Sequence, residues 1–185
     1  MVDSPAMMPP HRGAPVRRTV RLILLNERQE LLLMQVVLPD RSFWCTVGGG
    51  IEPGETLRAA ARREALEETG FTDADLDWGP CVWQGEHLMD RDGVAMLHHE
   101  TFVLVRTRRT DWCSAGLTDA ERAVVRTLRW WSVDELQQGA PHVVPPSLAS
   151  HLADLVGRLS AGEQPVRTLP IELGDRPRGD RQRRP

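Results

Sequence analysis

One predicted helix constrains this chain more than any other segment, because its most closely packed side also carries acidic residues. Pro53 and Gly54 precede the helix, Thr56 is placed to cap it, and Gly70 is placed to end it. The sequence therefore predicts a helix over residues 56–68. Its apolar stripe consists mainly of small residues: Leu57, Ala60, Ala61 and Ala65. We expect the rest of the fold to approach this stripe closely.

Three glutamates lie within the same stripe. Glu64, Glu67 and Glu68 are spaced i, i+3 and i+4, so a helix projects them to one side. Like charges at this spacing cost roughly 0.2–0.5 kcal/mol in water, and more where burial removes their hydration. A divalent cation would remove that cost, and ligands that are all oxygens suit Mg²⁺ or Mn²⁺ better than Zn²⁺. Taken alone, the spacing also fits a solvated face held by ion pairs such as Arg63 with Glu67, so both interpretations stay open here.

The glutamates belong to a longer pattern, G-x5-E-x7-R-E-U-x-E-E-x-G-U, in which U is a bulky apolar residue. Its fixed positions are filled by Gly49, Glu55, Arg63, Glu64, Glu67, Glu68 and Gly70, and Phe71 fills the last apolar one. A chance match in a chain of this length is on the order of one in a million. The segment over residues 49–71 resembles the Nudix box, the signature of the Nudix hydrolase family. Ala65 is small for its position, and Val47 stands where many relatives have Pro. The resemblance continues through residues 130–136 and covers roughly residues 17–160.

The resemblance implies a fold and a reaction. The fold would be α/β, a Nudix-type α/β/α sandwich with a mixed β-sheet. The reaction would be hydrolysis of a pyrophosphate linkage in a nucleoside diphosphate derivative, such as a nucleoside triphosphate or a nucleotide sugar. The attacking water would be activated by Mg²⁺, with Mn²⁺ as a substitute. The metal ligands would be Glu64, Glu67, Glu68 and the carbonyl of Gly48. Arg63 would orient these glutamates together with Glu55.

Several further residues have two interpretations. The general base is predicted to be Glu64, with Glu121 as the second choice. Glu100 is a candidate for a further metal ligand, yet Glu100 and Glu121 fit ordinary carboxylates equally well. Trp44 and Trp83 are candidates for stacking on a nucleobase, although tryptophans are more often core residues.

The remaining segments predict a sheet, short helices and two irregular ends. Strands are predicted over residues 20–25, 31–37, 43–47, 79–85, 101–106 and 129–133. Helical turns are predicted within residues 117–125 and 134–138, and an amphipathic helix over residues 146–159. The ends are predicted to be irregular: residues 1–16 as a flexible leader, and residues 161–185 as an Arg- and Pro-rich, disordered tail.

Composition bounds the partners and the compartment. The net charge of -3 argues against a nucleic-acid or membrane surface. The three cysteines form no metal or disulfide pattern, and no apolar run is long enough to span a membrane, so a cytoplasmic protein with a small-molecule partner is expected. A homodimer is compatible with the family. The alternative function is a non-catalytic, nucleotide-binding regulatory Nudix domain, although such domains usually lose box glutamates that this chain keeps.

Overall fold

The computed structural model describes residues 15–91, 94–114, 116–139, 142–165 and 168–173. Its strands are β1 (Val16–Leu25), β2 (Leu31–Leu38), β3 (Arg41–Thr46), β4 (Leu76–Arg91), β5 (Val94–Thr107), β6 (Val125–Trp131), β7 (Val143–Val144) and β8 (Leu169–Pro170). Its helices are α1 (Leu57–Thr69), α2 (Asp119–Val124), α3 (Val133–Gln137) and α4 (Leu148–Ser160), with a 3-10 turn at Asp73–Asp75. The predicted leader up to residue 14 and the predicted tail beyond residue 173 lie outside the described residues.

The strands form one mixed sheet in the order β7-β3-β2-β1-β5-β4-β8, with β6 paired to β2 beside that path. β1 runs parallel to β5, whereas β4 and β5 form a long antiparallel hairpin. β2 is antiparallel to β3 and to β6. The predicted mixed α/β architecture is therefore confirmed. The β4–β5 hairpin is longer than predicted, because its pairing begins at Leu76 opposite Thr107 and continues to Arg91 opposite Val94.

The sheet separates two layers of hydrophobic core. Along β1, Leu22 and Leu24 face the core layer that contains α1, and Ile23 and Leu25 face the layer that contains α4. This alternation follows from the two-residue period of a strand. Each helix contributes its small or branched apolar stripe: Ala60, Ala61 and Ala65 from α1, and Leu148, Leu152 and Leu155 from α4. The result is a helix–sheet–helix sandwich with α1 packed on one face of the sheet and α4 on the other.

The prediction of a disordered tail from residue 161 is wrong for residues 168–173. β8 lies parallel to β4, with Leu169 opposite Trp83, and the backbone N–H of Ile171 donates to the carbonyl of Gln84 at 2.9 Å. Ile171 and Leu173 are buried in the core layer under α4. Their alternating positions match a half-buried strand, a signal hidden by the Arg- and Pro-rich composition around it. The folded unit therefore extends beyond residue 160.

The predictions about membrane spans and cysteines concern the residues that the structure describes. No helix in this part of the chain is long and apolar enough to cross a bilayer. Cys45, Cys81 and Cys113 are free thiols, respectively buried, half-buried and exposed.

Candidate active site

The glycine run before α1 pairs with β1 through backbone hydrogen bonds. The backbone N–H groups of Val20 and Leu22 donate to the carbonyls of Gly49 (2.9 Å) and Val47 (2.8 Å). Gly48 has φ +129°, and a side chain there would run into the carbonyl oxygen of Val20. Glycine is therefore required at position 48, and the close pairing fixes the loop where it meets α1.

α1 begins and ends as its sequence predicts. The Thr56 hydroxyl accepts the Ala59 N–H at 3.1 Å, and Gly70 ends the helix in the left-handed region with φ 71°. Because the alanine stripe packs against the sheet, Glu64 and Glu68 on the same stripe are buried. Glu64 and Glu68 are only 5% and 4% exposed, while Glu67 lies nearer the surface. Two carboxylates one turn apart are thus buried together, which is costly unless a cation or hydrogen bonds compensate them.

Glu68 is the more deeply buried of the two acids. Its Oε2 accepts the Gly48 N–H at 2.7 Å. Burial nevertheless raises the pKa of Glu68 to about 8, with the hydrogen bond from Gly48 opposing that rise and the charge of Glu64 adding to it. In the metal-free protein this carboxyl therefore holds a proton near neutral pH.

Glu64 is shifted in the same direction for the same reason. Burial raises the pKa of Glu64, although Arg63 opposes this through a hydrogen bond to Oε1 at 2.8 Å and through its charge. Glu121, the third residue of the short helix α2, lies near enough for its charge to raise the pKa of both Glu64 and Glu68. The second candidate for the general base is thus beside the acids of α1, and its Oε2 accepts the Thr118 N–H at 2.8 Å.

Arg63 ties the loop and the helix together. Its Nε and Nη2 contact the two oxygens of Glu55 at 3.1 and 3.0 Å, and Nη2 also donates to the Gly50 carbonyl at 2.8 Å. Nη1 reaches the carboxylates of Glu64 (2.8 Å) and Glu67 (3.2 Å). The hydrogen bond to Glu55 raises the pKa of Arg63, and the same bond lowers the pKa of Glu55. The structure therefore brings together the Arg63–Glu55 pair that the resemblance implies.

The acids of α1 offer the type of ligand that a hard divalent cation prefers. Glu64, Glu67 and Glu68 offer oxygen atoms alone, which suits Mg²⁺ and Mn²⁺. A pKa of about 8 at Glu68 means that the protein's own cations do not balance this buried charge. The Glu64 carboxylate packs directly against the Gly49 backbone, because a Cβ at Gly49 would lie 2.7 Å from Glu64 Cδ.

The Gly48 carbonyl, predicted as a metal ligand, has a partner that the sequence interpretation missed. Arg21 donates from Nη1 to this carbonyl at 2.8 Å and from Nη2 to Glu100 Oε1 at 3.2 Å. A carbonyl oxygen has two lone pairs, so the bond from Arg21 leaves room for one further contact. A lone arginine inside the apolar run of residues 20–25 was the signal available in the sequence.

Glu100 is not placed with the acids of α1. It is buried, pairs with Arg21, and shares its face of β5 with Phe102 and Leu104, which pack in the layer under α4. Its carboxylate therefore lies on the opposite side of the sheet from α1. The sheet thus separates Glu100 from Glu64, Glu67 and Glu68, and its role as a further metal ligand stays a prediction.

The two tryptophans proposed for stacking are core residues. Trp44 is 7% exposed and meets Trp131 edge to face, with ring centroids 5.0 Å apart. Trp83 is 2% exposed and packs against Phe102 and His151, with centroids 5.9 and 5.6 Å away. Rings buried in this way offer no free face to a nucleobase, so the prediction for Trp44 and Trp83 is wrong. Both occupy strand positions that face α4, not α1.

Fold and site together define a class of protein. A mixed sheet lies between helices, and a glycine-rich loop leads into a helix that carries two buried glutamates and an arginine that pairs with one of them. The chain belongs to the NUDIX domain family, whose family model matches residues 15–154.

Relatives matched by sequence are named for pyrophosphate chemistry. A putative 8-oxo-dGTP diphosphatase from Bacillus subtilis (strain 168) is 45% identical over 53 residues, which are 29% of this chain and 34% of that protein. An RNA pyrophosphohydrolase from Orientia tsutsugamushi (strain Boryong) is 30% identical over 78 residues, or 42% of this chain and 48% of that protein. The chain thus spans between a third and a half of the length of these relatives.

Solved structures resemble most of this fold. A C. elegans Ap4A hydrolase in a binary complex matches with a TM-score of 0.56 at 18% identity, covering 78% of this chain and 98% of that chain. The MutT protein from Methanosarcina mazei Go1 matches with a TM-score of 0.55 at 18% identity, covering 80% and 97%. At this level of identity the likeness concerns the fold alone.

Proposed function

We propose that this chain is a divalent-metal-dependent pyrophosphohydrolase that cleaves a pyrophosphate linkage in a nucleoside diphosphate derivative. The observation that carries the proposal is the burial of Glu64 and Glu68 on one turn of α1 in a family that acts on such bonds. Arg63 pairs with Glu64, yet burial still raises the pKa of Glu68 to about 8, so the two buried acids make structural sense if a bound metal ion completes the site.

The acids of α1 have separate roles in this proposal. Glu64, Glu67 and Glu68 would hold Mg²⁺, or Mn²⁺ in its place, with the remaining lone pair of the Gly48 carbonyl as a further ligand. When bound, the metal neutralises the anionic oxygens of the diphosphate and lowers the pKa of water. The hydrogen bond from Gly48 N–H to Glu68 fixes that carboxylate against the loop. The guanidinium of Arg63 is positioned by Glu55, and it orients Glu64 and Glu67 through hydrogen bonds.

The proton of the attacking water would pass to a carboxylate. Glu64 is the first choice, because burial raises its pKa towards the operating pH, where a general base is most effective. Glu121 is the alternative, because its charge already acts on Glu64 and Glu68 from a neighbouring helix. A base that is not a ligand lowers kcat when removed but leaves Mg²⁺ affinity intact, whereas a ligand changes both. Comparing Glu64→Gln with Glu121→Gln in kcat and in Mg²⁺ affinity therefore separates the two roles.

The substrate class is a phosphoanhydride of a nucleotide or of an RNA end. The names of the relatives favour 8-oxo-dGTP and RNA as candidates. Ordinary nucleoside triphosphates and nucleotide sugars share the same linkage and belong in the same assay. Each would present its diphosphate to the acids of α1, so the site chemistry is common to all of them.

The test is product analysis by chromatography and mass spectrometry. The untagged chain is incubated with Mg²⁺ and each candidate substrate, beside Glu68→Gln and the matched control Glu52→Gln, whose side chain is exposed. Cleavage at a phosphoanhydride that Glu68→Gln loses and Glu52→Gln keeps is the expected result. Nucleotide binding without turnover across the panel would replace the hydrolase with a non-catalytic binding domain.

A further inference from the structure

A second group of ligand atoms converges on the sheet face opposite α1. His87 on β4 lies directly opposite His98 on β5, and Glu100 follows two residues after His98. The two-residue period of a strand puts all three side chains on one face. One ligand atom from each of the three lies within 4.8 Å of the others, and the imidazole centroids are 5.1 Å apart with planes tilted by 34°. From these positions we propose that His87, His98 and Glu100 form a binding site for a divalent transition metal such as Zn²⁺ or Co²⁺.

The spacing is close to what such an ion requires. Metal–nitrogen distances of about 2.0–2.1 Å place neighbouring ligand atoms of a tetrahedral ion roughly 3.3 Å apart. The separations of up to 4.8 Å would therefore have to close by up to about 1.5 Å. Rotation about the side-chain torsions of the two histidines supplies a movement of this size without shifting the hairpin.

The surroundings leave space for a fourth ligand. His98 and Glu100 are 8% and 5% exposed, so the site is shielded from bulk water. His87 and Glu100 line a small cavity of about 10 Å³, whose other walls include Cys45, Val144 and Leu173. That volume matches a single water molecule, the usual fourth ligand of an ion held by three side chains.

Charge and ligand type favour a transition metal over Mg²⁺. As metal ligands, two neutral imidazoles and one carboxylate would carry a single negative charge, and Arg21 at 3.2 Å from Glu100 Oε1 would balance it. A hard ion such as Mg²⁺ prefers oxygen ligands and would gain little there, whereas imidazole nitrogen suits Zn²⁺, Co²⁺ or Ni²⁺. The ion pair does not block the site, because a carboxylate has about four lone-pair positions and an arginine commonly orients a ligating carboxylate.

This site is separate from the acids of α1. Arg21 stands between the two, with one nitrogen on Glu100 and the other on the Gly48 carbonyl. The two sites also select different ions, because one offers oxygen atoms alone and the other offers two nitrogens. Occupancy of the histidine site therefore does not depend on the proposed hydrolysis.

The experiment measures bound cobalt on the full, untagged chain. The protein is stripped with EDTA, given Co²⁺ in the presence of millimolar Mg²⁺, and dialysed. Metal content and X-ray absorption at the cobalt edge are then recorded. The expected result is one retained Co²⁺ per chain with imidazole scattering in its spectrum. His87→Gln and His98→Gln are expected to weaken binding at least ~10-fold.

Two controls locate the ion. His99→Gln is the matched control, because His99 projects to the other face of β5 and approaches Glu86 at 4.0 Å; it should bind as the wild type does. Glu68→Gln removes an acid of α1 and should also keep the cobalt. Circular dichroism of the metal-free variants checks folding, and if His98→Gln does not fold, the half-buried His87 decides the outcome. Absence of stoichiometric cobalt, a spectrum of oxygen ligands alone, or unchanged binding in His87→Gln would overturn the proposal.

Discussion

Substitution of Gly49 by alanine tests whether the position of the Glu64 carboxylate matters to the reaction. The new Cβ would lie 2.7 Å from Glu64 Cδ, and an ordinary contact is 3.4 Å or more, so the carboxylate must move by at least 0.7 Å. A displacement of about 1 Å in a catalytic group costs on the order of 100-fold in rate. We therefore expect Gly49→Ala to lower kcat about 30- to 100-fold and to weaken Mg²⁺ binding.

The neighbouring glycine provides the control. A Cβ at Gly50 would meet the flexible end of Arg17 at 3.3 Å and would keep the carbonyl that Arg63 binds. Gly50→Ala should therefore change kcat by only a few-fold. The assay is steady-state turnover of whichever substrate the product analysis identifies, with Mg²⁺ affinity from calorimetry and folding from thermal unfolding. Equal rates for the two alanine variants, with both proteins folded, would refute the argument that Glu64 acts from this position.

Three further predictions test separate parts of the account. In EDTA, the free energy of unfolding should fall by up to ~5 kcal/mol as pH rises from about 5 through about 8. The cause is Glu68, whose pKa is about 8 in the folded protein and 4.5 in the unfolded chain, so that only the folded protein keeps the proton over this range. Urea unfolding should show a weaker pH dependence in Glu68→Gln, and parallel curves would contradict this origin. Arg63→Lys should lower kcat roughly 10- to 100-fold, because one ammonium cannot span Glu55 and the acids of α1; wild-type kinetics would count against a positioning role. Ile171→Ala should lower the free energy of unfolding by about 2–4 kcal/mol in denaturant titrations, with exposed Glu172→Ala as the control, and equal stabilities would show that the segment after α4 does not support the core.

Local signals in the sequence were sufficient to predict the helix α1 and the loop that precedes it. The cap at Thr56, the stop at Gly70 and the alanine stripe each have a local physical cause, and the structure places the helix over Leu57–Thr69. The burial of Glu64 and Glu68 followed from their place in that stripe. Local signals failed for residues 168–173, because the pairing of Leu169–Pro170 depends on the edge of β4, which no nearby residue reveals.

For the strand residues of the predicted site, the sequence does not determine which face of the sheet each side chain meets. Trp44 and Trp83 have suitable chemistry for stacking, but the strand period points them under α4, where they are buried. Glu100 is likewise on the α4 side, beside Arg21 and two histidines. Sequence spacing predicts that successive side chains of a strand point to opposite faces of the sheet, but it does not predict which set of side chains faces α1. That choice is made by long-range packing, so the core tryptophans and the role of Arg21 became visible only in the fold.

The most direct measurement of the central claim is the Mg²⁺ dependence of turnover in the wild type, Glu68→Gln and Glu52→Gln. If the buried acids of α1 hold the ion that the reaction needs, the wild type is inactive in EDTA and saturates with Mg²⁺. Glu52→Gln should follow the same curve, and Glu68→Gln should fall at least ~100-fold below it at every Mg²⁺ concentration. Turnover that survives EDTA, or a Glu68→Gln curve that overlies the wild type, would contradict the account.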